Sequence, residues 1–422
     1  MDQQRTVGAA FAAVTTLFFA WGFITSLIDP LVAAVKGIFT LSNTEAQLSA
    51  FAFFIAYGLV SFPAAALIAR VRAVPAILIA LATMALACLI MLGAANLAMY
   101  ELVLVGLFVL ASGITILQVA ANPLAAALGP PEGSHFRLTL SQTFNSFGTF
   151  IGPYLGAVLF LKGVEVKEGT AITPDVRAAA LAGIDRAYFW ICGLLLLLLV
   201  FFWLTRRTVS AAAPAPVRSG GIGAMIGDAL FSRWALLGGA AIFLYVGAEV
   251  AIGTQMALFL NSDAIWDVPL QDAGKYVSFY WGGAMAGRAV GSALLARFDA
   301  ARLLALFAAV ACAMCLYVVG AGGETAGFVA LGIGFFNSIM FPVIFTLTLE
   351  RSSASAEATS GLLCTAIVGG AFVPLVVGAF ADSVGYVTAL AVPAACYAVL
   401  CLFALSAGRS HPIDEAAAPT FH

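Results

Sequence analysis

An all-α membrane protein, with twelve transmembrane helices in two pseudo-symmetric six-helix bundles, is the fold this sequence predicts. Three observations predict it. Of the 422 residues, 63% are hydrophobic and 9% charged, with 33 Phe and 41 Gly, and the mean hydropathy is +1.05. Apolar stretches of about 20 residues, long enough to cross a hydrocarbon core of about 30 Å, recur along the whole chain. A weak internal repeat relates the two halves.

The stretches lie near 8–35, 44–69, 74–95, 99–127, 137–161, 186–205, 231–260, 271–296, 301–320, 325–348, 359–381 and 386–407. Lipid supplies no hydrogen bonds, so a backbone crossing it must satisfy its own polar groups, as a helix does. The alternation that marks a membrane barrel is not seen. Pro30, Pro63, Pro123, Pro153, Pro342 and Pro374 fall inside these spans, where kinks are expected. Gly283, Gly287 and Gly291 recur every fourth residue of the eighth span, a spacing that lets a neighbouring helix approach closely. Between spans six and seven, Arg206 to Asp228 is rich in Pro, Ala and Gly. It predicts a flexible linker, so the chain divides into a first bundle over 1–205, a linker over 206–230 and a second bundle with its tail over 231–422. The hydrophilic stretch from Lys162 to Asp185 is expected to be an external loop.

The repeat rests on three matches. Ala66-Leu67-Ile68-Ala69-Arg70 closes the second span and Ala293-Leu294-Leu295-Ala296-Arg297 the eighth. Gln118 precedes Pro123 in the fourth span by the interval at which Asn337 precedes Pro342 in the tenth. Gly148 and Pro153 correspond likewise to Gly369 and Pro374. The separation between halves is nearly constant, which argues for duplication. Charge placement sets the orientation: with the N-terminus cytoplasmic, that side gathers most arginines, among them Arg70, Arg72, Arg206, Arg207, Arg297 and Arg351. The opposite side holds Lys36, Lys162, Lys167, Arg177, Arg186 and Lys275. Both termini are therefore expected inside.

Other classes find little support. A net charge of −2 gives no case for a nucleic-acid partner. Cys88, Cys192, Cys312, Cys315, Cys364, Cys396 and Cys401 all fall in predicted spans, so no disulfide framework is expected, and Cys312-x-x-Cys315 reads as small residues one helical turn apart. His135, His411 and His422 are scattered and suggest no zinc site. The first apolar stretch is too long for a signal peptide. No phosphate-binding loop, metal-ligand cluster or nucleophile elbow appears. The expectation is a secondary carrier, not an enzyme, with no cofactor beyond a co-transported H⁺ or Na⁺.

Polar side chains inside the spans are few and clustered. Asp29 lies deep in the first apolar stretch, where a carboxylate costs roughly 2.5–3.5 kcal/mol and commonly marks an ion or proton route. Gln118 and Asn122 share one face of the fourth span, and Gln142 and Asn145 one face of the fifth. Glu249 is the carboxylate of the seventh, near Tyr245, Thr254 and Gln255; Asn337 is the amide of the tenth. Tyr57, Tyr280 and Trp281 add aromatic surface. Amides and carboxylates bond hydroxyls in both directions, and rings stack on the C–H face of a sugar, so the set suits a small neutral polyol. The plainer role for the amides is to bond helix to helix, worth under about 1 kcal/mol each. Arg288 is expected to be a gating or interface charge.

These residues also carry a resemblance. Phe18-Phe-Ala-Trp-Gly-Phe-Ile-Thr25, Gly113-Ile-Thr-Ile-Leu-Gln-Val-Ala-Ala-Asn-Pro123, His135-Phe-Arg-Leu-Thr-Leu-Ser-Gln-Thr-Phe-Asn-Ser-Phe-Gly148, Tyr245-Val-Gly-Ala-Glu-Val250, Tyr280-Trp-Gly-Gly283, Phe336-Asn-Ser-Ile-Met-Phe-Pro342 and Gly361-Leu-Leu-Cys-Thr-Ala-Ile-Val-Gly-Gly370 resemble the fucose–galactose–glucose cation symporters of the major facilitator superfamily, in order and over nearly the whole chain. The resemblance implies the twelve-helix major facilitator fold, a central cavity and alternating access. Fucose permeases carry a glutamate where this chain has Gln118; the glucose/galactose branch has glutamine, which points to hexoses. Asp29 matches the family's first-helix aspartate and so becomes the implied coupling residue, with Glu249 as rival. The family usually reads Asn-Asp there, whereas this chain has Ile28-Asp29-Pro30, which removes an amide from the implied cation site.

The leading expectation is thus H⁺- or Na⁺-coupled symport of glucose, galactose or fucose by a monomeric carrier of the bacterial inner membrane. Gln118, Asn122, Gln142, Asn145, Tyr245, Glu249, Trp281 and Asn337 are the expected sugar contacts. Competing readings are an amino-sugar symporter such as one for N-acetylglucosamine, a drug/proton antiporter, and a sugar receptor that does not transport. The amides speak against the antiporter, and a retained Asp29 against the receptor.

Overall fold

The computed structural model describes residues 2–27, 31, 35, 38–39, 43–160, 173–213, 221–268 and 270–412. Asp29 and Pro30 lie outside the described residues, as do residues 162–172 of the expected external loop; the rest of that stretch is helical from Pro174, not a loop. The chain forms two compact units, residues 1–128 with 144–216 and residues 129–143 with 217–422.

In chain order the helices are α1 (Asp2–Ser26), α2 (Asn43–Val71), α3 (Ala73–Leu97), α4 (Tyr100–Ala127), α5 (Ser134–Phe160), α6 (Pro174–Ala212), α7 (Ile222–Phe231), α8 (Arg233–Asn261), α9 (Leu270–Leu295), α10 (Ala300–Ala321), α11 (Gly323–Asn337), α12 (Met340–Arg351), α13 (Ala356–Thr365), α14 (Gly369–Val384), α15 (Tyr386–Ala389) and α16 (Ala391–Gly408). Among the described residues, ten helical passages are long and apolar enough to cross a membrane, with α11–α12, α13–α14 and α15–α16 each forming one passage. Helices α5 and α9, of 27 and 26 residues, have the length but are more polar, and they carry Gln142, Asn145 and Arg288. Among the described residues these bring the helical passages to the twelve that the sequence predicts. Several hydroxyls inside them are satisfied locally: Thr115 donates to the Ala111 carbonyl at 2.7 Å and Ser61 to that of Tyr57 at 2.6 Å.

Further boundaries differ from the sequence reading. Helix α6 runs 39 residues, through Arg206 and Arg207 to Ala212, and α7 follows at Ile222, so much of the expected linker is helical. Its alanines favour helix more than its prolines, confined to Pro214 and Pro216, oppose it. The tenth passage is two helices. Pro342 lacks an N–H, so the Ser338 carbonyl four residues earlier loses its helical partner, and the chain breaks between Asn337 and Met340. The eleventh is interrupted by a 3₁₀ turn at Ala366–Val368.

In the first unit α3 packs on α4 across a short turn, where Ala98 adopts φ 50°; α6 covers α3, α2 covers α4, and α1 lies on α6. In the second unit α8 is the hub, in contact with α9, α12, α14 and α16, while α10 pairs with α16 and α9 with α11. The Gly283–Gly287–Gly291 row is where α9 meets the end of α11: a Cβ on Gly287 would strike the Phe335 carbonyl, and one on Gly291 the Ile339 side chain. Caps fix the polar ends. Asp299 accepts the Arg302 N–H at 2.8 Å ahead of α10, and Ser355 that of Ala358 at 3.2 Å ahead of α13.

Candidate functional site

The expected sugar contacts fall in both units. In the first unit, Gln118 on α4 is buried and donates from Nε2 to the Tyr57 hydroxyl of α2 at 2.9 Å. Asn122, one turn on, is fully buried. Asn145 on α5 donates from Nδ2 to the Phe18 carbonyl of α1 at 3.1 Å, and its own carbonyl accepts from Thr149 at 3.1 Å. This bond joins helix to helix, the plainer of the two roles weighed for the amides. The approach is close because Gly22 faces the Asn145 backbone, where a Cβ would collide with the carbonyl oxygen.

The second unit gathers more. Glu249 and Tyr245 lie on α8, Arg288 and Tyr280 on α9, and Asn337 at the end of α11; all are buried. Arg288 Nη2 lies 3.6 Å from Glu249 Oε1. Arg288 Nε donates to the Ser338 carbonyl at 2.8 Å, the carbonyl that Pro342 leaves without a helical donor. Arg288 Nη1 reaches the Gln142 backbone carbonyl at 3.5 Å. Tyr280 donates to the Glu249 backbone carbonyl at 3.1 Å and accepts from Asn337 Nδ2 at 2.7 Å. The Tyr245 hydroxyl lies close to the Glu249 carboxylate without the geometry of a formed hydrogen bond. Trp281 stands edge-on to Tyr280, ring centroids 5.1 Å apart, in the space left by Gly253.

Tyr245, Glu249, Trp281 and Asn337 thus come together in the second unit with the Gln142 backbone, while Gln118, Asn122 and Asn145 belong to the first. Sequence reasoning missed the direct partnership of Arg288 with Glu249; two opposite charges on neighbouring polar spans were the available signal. It also missed Tyr397 on α16, whose hydroxyl approaches Asn337. His135, read as scattered, sits in a second cluster: Nε2 lies 3.2 Å from Glu350 Oε1, which also accepts from Ser134 at 3.0 Å, and Arg351 Nη1 lies 3.2 Å from Glu350 Oε2.

Known proteins of the same kind exist. A family model for the Major Facilitator Superfamily matches residues 10–363. A glucose/galactose transporter of Brucella abortus is 40% identical over 409 residues, covering 97% of this chain and 96% of its own. An L-fucose-proton symporter of Escherichia coli is 32% identical over 419 residues, covering 95% and 94%. A crystal structure of the E. coli fucose:proton symporter aligns with a TM-score of 0.85 at 28% identity, covering 96% of this chain and 100% of that one. The resemblance read from the motifs therefore extends over nearly the full length.

Proposed function

The chain belongs to the Major Facilitator Superfamily, and from that premise we propose that it is a secondary carrier, a symporter that moves a neutral monosaccharide, glucose, galactose or fucose, together with H⁺ or Na⁺ by alternating access. The observation that carries the substrate class is the matched charge of the second-unit site. Glu249 is balanced by Arg288 at 3.6 Å, and the rest of that site is amide, hydroxyl and ring. A cationic cargo would meet Arg288 and an anionic one Glu249, whereas a hydroxyl both donates and accepts. The full-length relatives, whose names specify glucose, galactose and fucose, support the same class.

The pairing also bears on coupling. Glu249 has a nearby positive charge in every state that keeps the pair, so we assign coupling to Asp29. Taking up H⁺ or Na⁺ there neutralises a charge that is costly inside a closed protein. Gln118, Asn122, Gln142, Asn145, Tyr245, Glu249, Trp281 and Asn337 are the proposed sugar contacts. We place the protein in the inner membrane as a monomer with both termini cytoplasmic; cysteine labelling that finds the 214–220 segment outside would reverse that orientation.

Counterflow of labelled sugar in proteoliposomes tests the function, with a substrate panel and with pH and sodium varied separately. Exchange of a hexose driven by one of the two gradients is expected. Exchange of N-acetylglucosamine alone would move the substrate to amino-sugars, and binding without exchange would make the protein a receptor. Asp29→Asn should abolish uphill accumulation while leaving part of the exchange. If Asp29→Asn still concentrates sugar at the wild-type level and Glu249→Gln does not, the coupling carboxylate is Glu249.

A further inference from the structure

Arg288 and Glu249 form an unusual ion pair: each is held from behind, and the two do not close on each other. A carboxylate and a guanidinium free to approach settle at about 2.7–2.9 Å, often through two parallel bonds. Here the gap is 3.6 Å. The guanidinium is anchored through Nε to the Ser338 carbonyl at 2.8 Å, a carbonyl that Pro342 has freed. The Glu249 backbone is anchored through its carbonyl to Tyr280, which Asn337 holds in turn. Glu249 is 9% exposed and Arg288 8%. Three buried oxygens beside them lack a hydrogen-bond partner: Glu249 Oε1, the Tyr245 hydroxyl and the Ser338 hydroxyl. A pair serving only to fasten α8 to α9 would gain by closing, and a buried carboxylate oxygen left without a donor is costly.

We propose that Arg288 and Glu249 are a clamp for one hydroxyl of the sugar. The hydroxyl donates its proton to Glu249 Oε1 and accepts an N–H from Arg288, its oxygen lying off the line between them at about 2.8 Å from each. Tyr245 borders the same carboxylate. Of the common ligand groups, an ammonium ion would be repelled by Arg288, a carboxylate by Glu249, and a hydrogen-bearing carbon would leave Glu249 Oε1 without a donor; a hydroxyl can donate to the one and accept from the other. Because Ser338 and Tyr280 fix the partners beforehand, little ordering is needed when the sugar arrives. Arg288 becomes a specificity-determining residue that reads the presence of a hydroxyl at one carbon. This inference rests on the carrier reading above.

The test measures equilibrium binding to the full chain in nanodiscs, using D-glucose, D-galactose and L-fucose with their monodeoxy analogues. One monodeoxy analogue should bind wild type at least roughly tenfold more weakly than its parent, the effect of losing a hydrogen bond to charged groups. Glu249→Gln and Arg288→Lys should each weaken the parent sugar while hardly weakening that analogue further, so that the preference falls toward one. The neutral double variant Glu249→Gln/Arg288→Gln, which leaves no unpaired charge, should lose the same preference and serves where a single variant does not fold. Equal weakening of every sugar and analogue, or an unchanged preference in all variants, would overturn the clamp. The wild-type panel reports on the carrier reading by itself: it fails if wild type binds none of these sugars, whereas the clamp fails when sugar binds and the variants keep the preference.

Discussion

In the first unit Gln118 of α4 donates to the hydroxyl of Tyr57 on α2; in the second Asn337 of α11 donates to the hydroxyl of Tyr280 on α9. The two amides are the ones that the internal repeat pairs through Pro123 and Pro342, so the duplication shows in a hydrogen bond as well as in sequence. What surrounds the bond differs. In the second unit Tyr280 passes on to the Glu249 backbone, and Glu249 faces Arg288. In the first, another described contact is neutral, where α1 and α5 meet through the Asn145 amide and the Phe18 carbonyl. Among the described residues, the second unit joins this bond to a charged pair. Charge inside a span is costly enough that this pair is a place to look for the sugar, as Asp29 of the first unit is for the coupling ion.

The largest expected effect separates the halves by charge. Arg288→Ala leaves Glu249 buried without its partner and should cost about 3–5 kcal/mol of stability. The neutral double variant Glu249→Gln/Arg288→Gln should recover most of it. Unfolding of both variants in mixed micelles checks this, and a double variant as unstable as Arg288→Ala would show that charge is not what distinguishes the second unit.

The first unit should instead break at its packing. A Cβ on Gly148 would strike the backbone of Phe19 and come within 2.6 Å of the Phe23 nitrogen, so Gly148→Leu should cost about 1–3 kcal/mol or more by forcing α1 from α5. Gly58 on α2 has nothing within 4 Å, and Gly58→Ala should stabilise by up to about 1 kcal/mol through helix propensity alone. The same measurement reads the two opposite signs. Two destabilised variants would mean that the contact between α1 and α5 is not what makes Gly148 special.

How much of this was legible follows from what period and composition can encode. The spans, their number and the duplicated halves come from apolar length and repeated punctuation, which survive in one dimension. The break at Ser338–Ile339 was half legible: Pro342 announces a lost hydrogen bond, but not whether the helix bends or stops. Which carbonyl Arg288 would take, and that doing so holds it away from Glu249, was not legible, because the α9–α11 approach that sets it depends on Gly287 meeting Phe335 across helices distant in sequence. Gln118 and Asn145 look alike as buried amides in the sequence. Only the fold shows that one meets a tyrosine hydroxyl and the other a backbone carbonyl.

The smallest effect tests the repeat itself. Tyr57→Phe removes the acceptor of Gln118 and keeps the ring that packs edge-on against Phe53 at 5.8 Å. Interhelical bonds of this kind are worth under about 1 kcal/mol, so the share of the loss due to the Gln118 bond should stay below that. Tyr280→Phe is chemically the same change, and it takes away two bonds: the acceptor of a fully buried Asn337 and the donor to the Glu249 carbonyl. Leaving such groups unmet costs about 1–3 kcal/mol. If the two halves differ only by what has been added to a shared bond, Tyr280→Phe should be the worse variant and should also weaken sugar binding, because Glu249 loses its anchor. Equal losses from the two substitutions would mean that the Tyr280 bond to Glu249 contributes nothing, and that the pairs are alike in energy as well as in origin.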